Sequence, residues 1–156
     1  MKKKLLNTVT IIMVLIAFVG CSTSDDSTDD NSTNDDNSST IQIEETAQSG
    51  TWRITYFYNS DHEETSNFTG YAFTFNSDGS IIAVKGSTTV TGTWSILDSS
   101  SSSSDDHHFN VFFASPNDFE DLSDDWEIIS TSDTQIKLTG VSGGNDGIDF
   151  LTFEKN

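Results

Sequence analysis

Val90-Thr91-Gly92-Thr93-Trp94-Ser95-Ile96 alternates an apolar or small residue with a hydroxyl-bearing one at every step. Side chains along a strand point to opposite faces in turn, so a period of two built from β-branched and aromatic residues describes a half-buried strand. The same texture runs outward in both directions from about Gln48. Trp52, Ile54 and Tyr56 alternate with Thr51, Arg53 and Thr55, and Tyr71, Phe73 and Phe75 with Ala72 and Thr74. Downstream, Phe109, Val111 and Phe113 are followed by the pairs Ile136/Leu138 and Leu151/Phe153 at the same spacing.

These runs predict eight strands, at about 51–58, 69–76, 80–85, 88–97, 107–114, 125–131, 134–141 and 147–155. Asn76-Ser77-Asp78-Gly79 reads as a tight hairpin turn in which Gly79 takes positive φ. Ser132-Asp133 and Gly143-Gly144-Asn145-Asp146-Gly147 read as further turns, and 115–124 has room for one helical turn. The connections are too short for crossover helices, so neighbouring strands run antiparallel. The expected fold is all-β: an eight-stranded antiparallel up-and-down barrel, which leaves no exposed edge, with a two-sheet sandwich as the rival.

The chain of 156 residues carries 7 basic and 25 acidic side chains, a formal charge of −18. Three of the basic residues, Lys2, Lys3 and Lys4, precede an apolar run from Leu5 to Val19 that closes on Gly20-Cys21. A positive start, a short apolar stretch and a small residue make an export signal, and the run is short for a spanning helix. Phe18-Val19-Gly20-Cys21 resembles the lipobox of bacterial lipoproteins. That resemblance implies removal of 1–20, acylation of the Cys21 thiol, and a membrane partner reached through that lipid. Beyond Cys21 four basic residues remain against all 25 acids, a formal −21. Such a charge repels phosphates, so no nucleic-acid partner is expected.

Residues 22–40 are Ser, Thr, Asp and Asn alone and have no apolar surface to offset the entropy of ordering. The expected organisation is therefore a leader at 1–20, a lipidated, disordered acidic tether at 21–47, and a folded domain at 48–156. Ser24-Asp25-Asp26 resembles the surface-export signals of some Gram-negative lipoproteins. It implies an outer-membrane protein facing outward, with the periplasmic face as the alternative.

Within the domain, Gly50-Thr51-Trp52, Phe75-Asn76-Ser77-Asp78-Gly79, Gly92-Thr93-Trp94 and Leu151-Thr152-Phe153-Glu154-Lys155 stand in an order that resembles the bacterial lipocalin-like lipoproteins. The resemblance implies a barrel with Trp52 closing one end and an interior that holds a small apolar ligand. The candidate lining is Trp52, Ile54, Tyr56, Tyr71, Phe73, Phe75, Trp94, Phe109 and Phe113, with Tyr56 and Tyr71 as polar handles. Side chains this large favour a small cavity or none.

Chemistry-bearing clusters are few. Asp105-Asp106-His107-His108 sets imidazoles beside carboxylates but follows the serine run 99–104, and adjacent strand residues point opposite ways. Asp61-His62-Glu63-Glu64 and the acidic group Asp118, Glu120, Asp121, Asp124 and Asp125 read as solvated loops. No nucleophile elbow, phosphate loop or zinc spacing is present, so no catalytic residue, metal or cofactor is expected. The leading expectation is a monomeric, non-enzymatic, membrane-tethered barrel. The alternatives are an interaction or structural protein with a filled core, using loops 61–64 and 118–125, or a glycan-binding module on the sandwich fold, presenting Tyr58, Phe112, Phe119 and Trp126 on one flat face.

Overall fold

A computed structural model describes residues 35–98, 107–141 and 147–156. Cys21 and its leader, the stretch 22–34, the serine run with Asp105-Asp106, and the turn residues 143–146 lie outside the described residues. The elements are α1 (Asp35–Gln48), β1 (Thr51–Asn59), β2 (His62–Glu63), a 3-10 turn (Thr65–Phe68), β3 (Ala72–Phe75), β4 (Ser80–Lys85), β5 (Thr88–Asp98) and β6 (His107–Phe112). A short α2 (Asn117–Glu120) follows, then β7 (Asp124–Ser132), β8 (Gln135–Val141) and β9 (Ile148–Lys155). All eight expected strands are present; β2 is an addition.

Apart from β2, the strands pair in sequence order, each antiparallel to the next, and β9 returns to β1, with Trp52 opposite Lys155 and Tyr58 opposite Phe150. That closure makes the sheet a barrel and removes the sandwich alternative. β2 folds back on the far end of β1, with Glu63 opposite Tyr58. The Asn76–Gly79 hairpin forms as expected, with Gly79 at φ 81° and its N–H donating to the Asn76 carbonyl at 3.0 Å.

Inward-pointing side chains fill the barrel. Phe75 meets Trp94, Phe109 and Phe153 with ring centroids 5.2, 5.4 and 5.4 Å away. Phe57 meets Trp126 at 6.4 Å and Phe68 at 5.5 Å. Outward positions such as Thr89, Thr91, Thr93 and Ser95 are polar and exposed. An outer-membrane barrel has the reverse pattern, an apolar outer belt around a polar interior.

Both ends are covered. At the end where β1 begins, α1 lays Ile43 and Ala47 over the core, four residues apart and so on one helical face. The Trp52 indole N–H donates to the Ala47 carbonyl at 2.8 Å, and the Lys155 ammonium sits 5.6 Å from the Trp52 ring. Trp52 is thus fully buried at that end, beneath α1. At the other end Phe68, Phe119 and Leu122, from the 3-10 turn and the α2 segment, drop into the opening. Phe119 lies 5.0 Å from Phe113 and 5.4 Å from Phe68. The other two indoles also find backbone acceptors, Trp94 at Asn76 and Trp126 at Leu122, both at 3.0 Å.

Three expectations are corrected. The stretch 35–47, read as tether, is helical, because Ile43 and Ala47 have an apolar barrel end to cover. Tyr56 points outward and is 40 % exposed, because a register shift between Ile54 and Tyr56 inserts an extra residue and hands the interior position to Phe57. Phe119 and Trp126, proposed for an exposed aromatic face, are buried end-plug and core residues.

Candidate functional site

Of the nine proposed lining residues, Trp52, Ile54, Phe73, Phe75, Trp94, Phe109 and Phe113 converge in the interior, each 6 % exposed or less. They touch one another: Trp94 stacks on Phe109 at 5.6 Å, and Phe73 meets Phe153 at 5.6 Å. Tyr71 is half-buried at the rim, 5.1 Å from Phe119, with the Lys85 ammonium 5.3 Å over its ring. Its hydroxyl is thus no interior counterpart to Tyr56, which the bulge turns to solvent.

The described surface carries a groove of about 450 Å³ on the outer wall, where β5, β6 and the start of β7 meet. Alternation fixes its lining. Thr93 lies opposite Phe112, and Ser95 opposite Asn110, all four on outward positions. Ser123 and Asp124 complete the rim. Gly92 lets the strands close up here: a Cβ at that position would collide with the Phe112 carbonyl and the Phe113 ring. Phe112 is 59 % exposed, although Phe109, Val111 and Phe113 beside it are buried. The Asn110 Nδ2 group is shut away from solvent without a hydrogen-bond acceptor among the described residues. An unpaired buried donor costs about 1–3 kcal/mol. Sequence reading singled out Phe112 but not Thr93, Ser95 or Asn110. Their alternation was visible, whereas the register that sets them opposite one another depends on the loop 99–106.

The histidine clusters are placed differently from one another. His107, at the α1 end, receives two contacts through opposite ring nitrogens: Asp98 Oδ1 lies 2.6 Å from Nδ1, and Ser39 Oγ lies 2.6 Å from Nε2. Thr40 donates to the same Asp98 oxygen at 2.6 Å. Ser39, His107 and Asp98 have the connectivity of a nucleophile, base and orienting acid. They sit at the joint between helix and barrel and fasten α1 to the β5–β6 hairpin. His108 points to the outer wall, 3.2 Å from Asp125 Oδ1, in ion-pair range but misaligned for a hydrogen bond. His62 sits between Asp61 and Glu64, at 2.9 and 2.7 Å. Among the described residues, no group of three or more His, Cys, Asp or Glu side chains is arranged to hold a metal ion.

Hydrogen bonds shift three groups, and burial a fourth, in legible directions. The Thr40 hydroxyl, then His107, holds the Asp98 carboxyl below its ordinary value. The Ser80 hydroxyl and amide do the same for Asp78. Asp61 and Glu64 raise His62, whereas burial, then neighbouring Glu64, Asp118 and Glu120, raises Asp121. A carboxyl depressed in the folded state stabilises it at pH above the ordinary value of about 4, and that contribution disappears as pH falls through the folded value. The α1 latch is therefore expected to loosen below about pH 4. Amide exchange at residues 39–47 should accelerate in that range, and Asp98→Asn should already show the acid-like rates at neutral pH. His62 works oppositely: its contribution is present below its ordinary value and disappears as pH rises through the raised one.

No protein-family model matches the chain, and no curated protein does. Among solved structures it is similar to a DUF4847 family protein from Bacteroides vulgatus ATCC 8482, with 18 % identity and a TM-score of 0.48. The match covers 73 % of this chain and 97 % of that one.

Proposed function

We propose that this chain is a lipid-anchored, non-enzymatic protein of the outer membrane, displayed at the cell surface through Cys21. In this reading the barrel is a filled scaffold that works through its outer surface. The observation that carries it is the interior packing, in which Phe75, Trp94, Phe109 and Phe153 occupy the space that a small apolar ligand would need. The two covered ends support the same reading. The lipobox-like Phe18-Val19-Gly20-Cys21 supports the anchor, since two or more acyl chains hold a soluble domain stably on a bilayer.

Two measurements test the reading. Wild-type protein should partition into detergent on phase separation and be shaved from intact cells by added protease. Cys21→Ser should move it wholly to the aqueous phase. A fluorescent fatty acid should leave the tryptophan emission of the purified protein unchanged. Stoichiometric uptake that quenches this emission would replace the filled scaffold with a ligand carrier, and detergent partition surviving Cys21→Ser would remove the lipid anchor.

A further inference from the structure

We infer that the groove between β5 and β6 is a binding site for an uncharged carbohydrate, contacted by Phe112, Thr93 and Ser95, with Asn110 between them. The inference goes beyond the display reading and does not depend on lipidation.

The argument starts from what the groove offers. Phe112 presents an exposed aromatic ring, and two residues along the same strand Asn110 holds an amide donor closed in without an acceptor. Residues i and i+2 on a strand lie about 7 Å apart on one face. A sugar ring laid on Phe112 therefore brings its hydroxyls level with Asn110. Across the strand pair, Thr93 and Ser95 stand opposite these two residues and add hydroxyls that both donate and accept. A pyranose has the matching surface: an apolar C–H face, and a rim of hydroxyls each able to donate and to accept. The volume of about 450 Å³ falls in the range of small-molecule sites and accommodates one or two rings.

Charge selects within the class. Asp124 lines the rim, Asp125 lies opposite Asn110, and the chain as a whole carries −18. An anionic sugar would be repelled by this wall, whereas a neutral one is not. An apolar occupant would desolvate the Thr93 and Ser95 hydroxyls and the Asp124 carboxylate without pairing them, and a peptide strand would need a free sheet edge, which β5 and β6, each paired on both sides, do not offer.

The test uses the processed chain, residues 21–156, carrying Cys21→Ser for solubility. Two-dimensional amide NMR spectra are recorded with maltoheptaose, cellohexaose and mannohexaose, and with a hyaluronan hexasaccharide as the anionic counterpart. Each is added to about 10 mM, enough to saturate a site of millimolar Kd. At least one neutral oligosaccharide should shift the amides of Thr93, Ser95, Asn110 and Phe112. Phe112→Ala should weaken this binding at least tenfold while the remaining spectrum is unchanged, because the ring is already in solvent. Ser95→Tyr, which fills the groove from the opposite strand, should abolish the shifts. The inference is overturned if no neutral oligosaccharide shifts these amides, if the shifts survive both variants, or if hyaluronan binds more tightly than the neutral sugars.

Discussion

Replacing Phe75 by alanine is expected to cost about 3–5 kcal/mol, the range for deleting a buried phenylalanine ring. Phe75 is 1 % exposed and sits edge-on to Trp94, Phe109 and Phe153, whose strands close the barrel from opposite sides. Those three rings are themselves packed and cannot collapse into the space left. For a domain whose total stability is typically about 5–15 kcal/mol, this is a large fraction. The midpoint of thermal unfolding should fall by roughly 10–20 °C. Phe112→Ala is the control: the same change on the outer wall, at a ring 59 % exposed, should move the midpoint little. The Phe75→Ala cavity would be lined by aromatic rings and carry no polar group, and such cavities stay dry and admit small apolar molecules. Benzene should therefore stabilise the variant and leave the wild type unaffected. A wild type stabilised as strongly as the variant would show that the native barrel already holds open space.

The contrast between these two phenylalanines marks how far period two can be read. Phe75, Trp94 and Phe109 each stand between polar neighbours, so their side of the sheet follows from the sequence, and all are buried. In β1 the rule loses its grip. Tyr56, Phe57 and Tyr58 are consecutive aromatics, and either parity yields an apolar face. The bulge after Ile54 resolves the tie in favour of Phe57, whose ring meets Phe68 and Trp126, while Tyr56 keeps its hydroxyl in water. A one-residue shift exchanges the two faces of a strand, and no local residue type announces it.

The groove was only half visible for a related reason. Phe112 declares itself as an aromatic on the polar parity of β6. Its partners come from β5, and the residues between the two strands, six serines and two aspartates, include no Gly, Asn or Pro to announce the register. Phe119 and Leu122 show the complementary difficulty. They lie in a connection rather than a strand, so periodicity assigns them no side, and only the open end of the barrel explains their burial.

The helix α1 was the least legible element, and its removal is the second effect expected. Seven of its fourteen residues are Ser, Thr, Asp or Asn, which are weak helix formers, and a helix of this length would not hold alone. Its existence rests on the barrel end. Burial of Ile43 contributes about 1.5–3 kcal/mol, and the bond from Trp52 to Ala47 about 1 kcal/mol. Ordering the segment opposes these gains, so the net docking free energy is expected to be small beside the total stability of the domain. A chain beginning at residue 35 should match the stability of one beginning at residue 21. A chain beginning at residue 49 should lose that net amount, with a red shift of tryptophan emission as Trp52 meets water. Ala47→Asp gives the decisive comparison. A carboxylate placed at a position with 0 % exposure costs more than the whole docking energy, so the helix should release instead of enclosing it. The loss in the variant is thereby capped at the loss from truncation, and the two should coincide in denaturant unfolding. If truncation at 49 leaves stability unchanged, the folded unit begins at 48 and α1 contributes nothing to it. If Ala47→Asp costs much more than truncation, the helix stays docked and is held chiefly by contacts other than Ile43, Ala47 and the Trp52 bond, such as the Ser39–His107 and Thr40–Asp98 bonds.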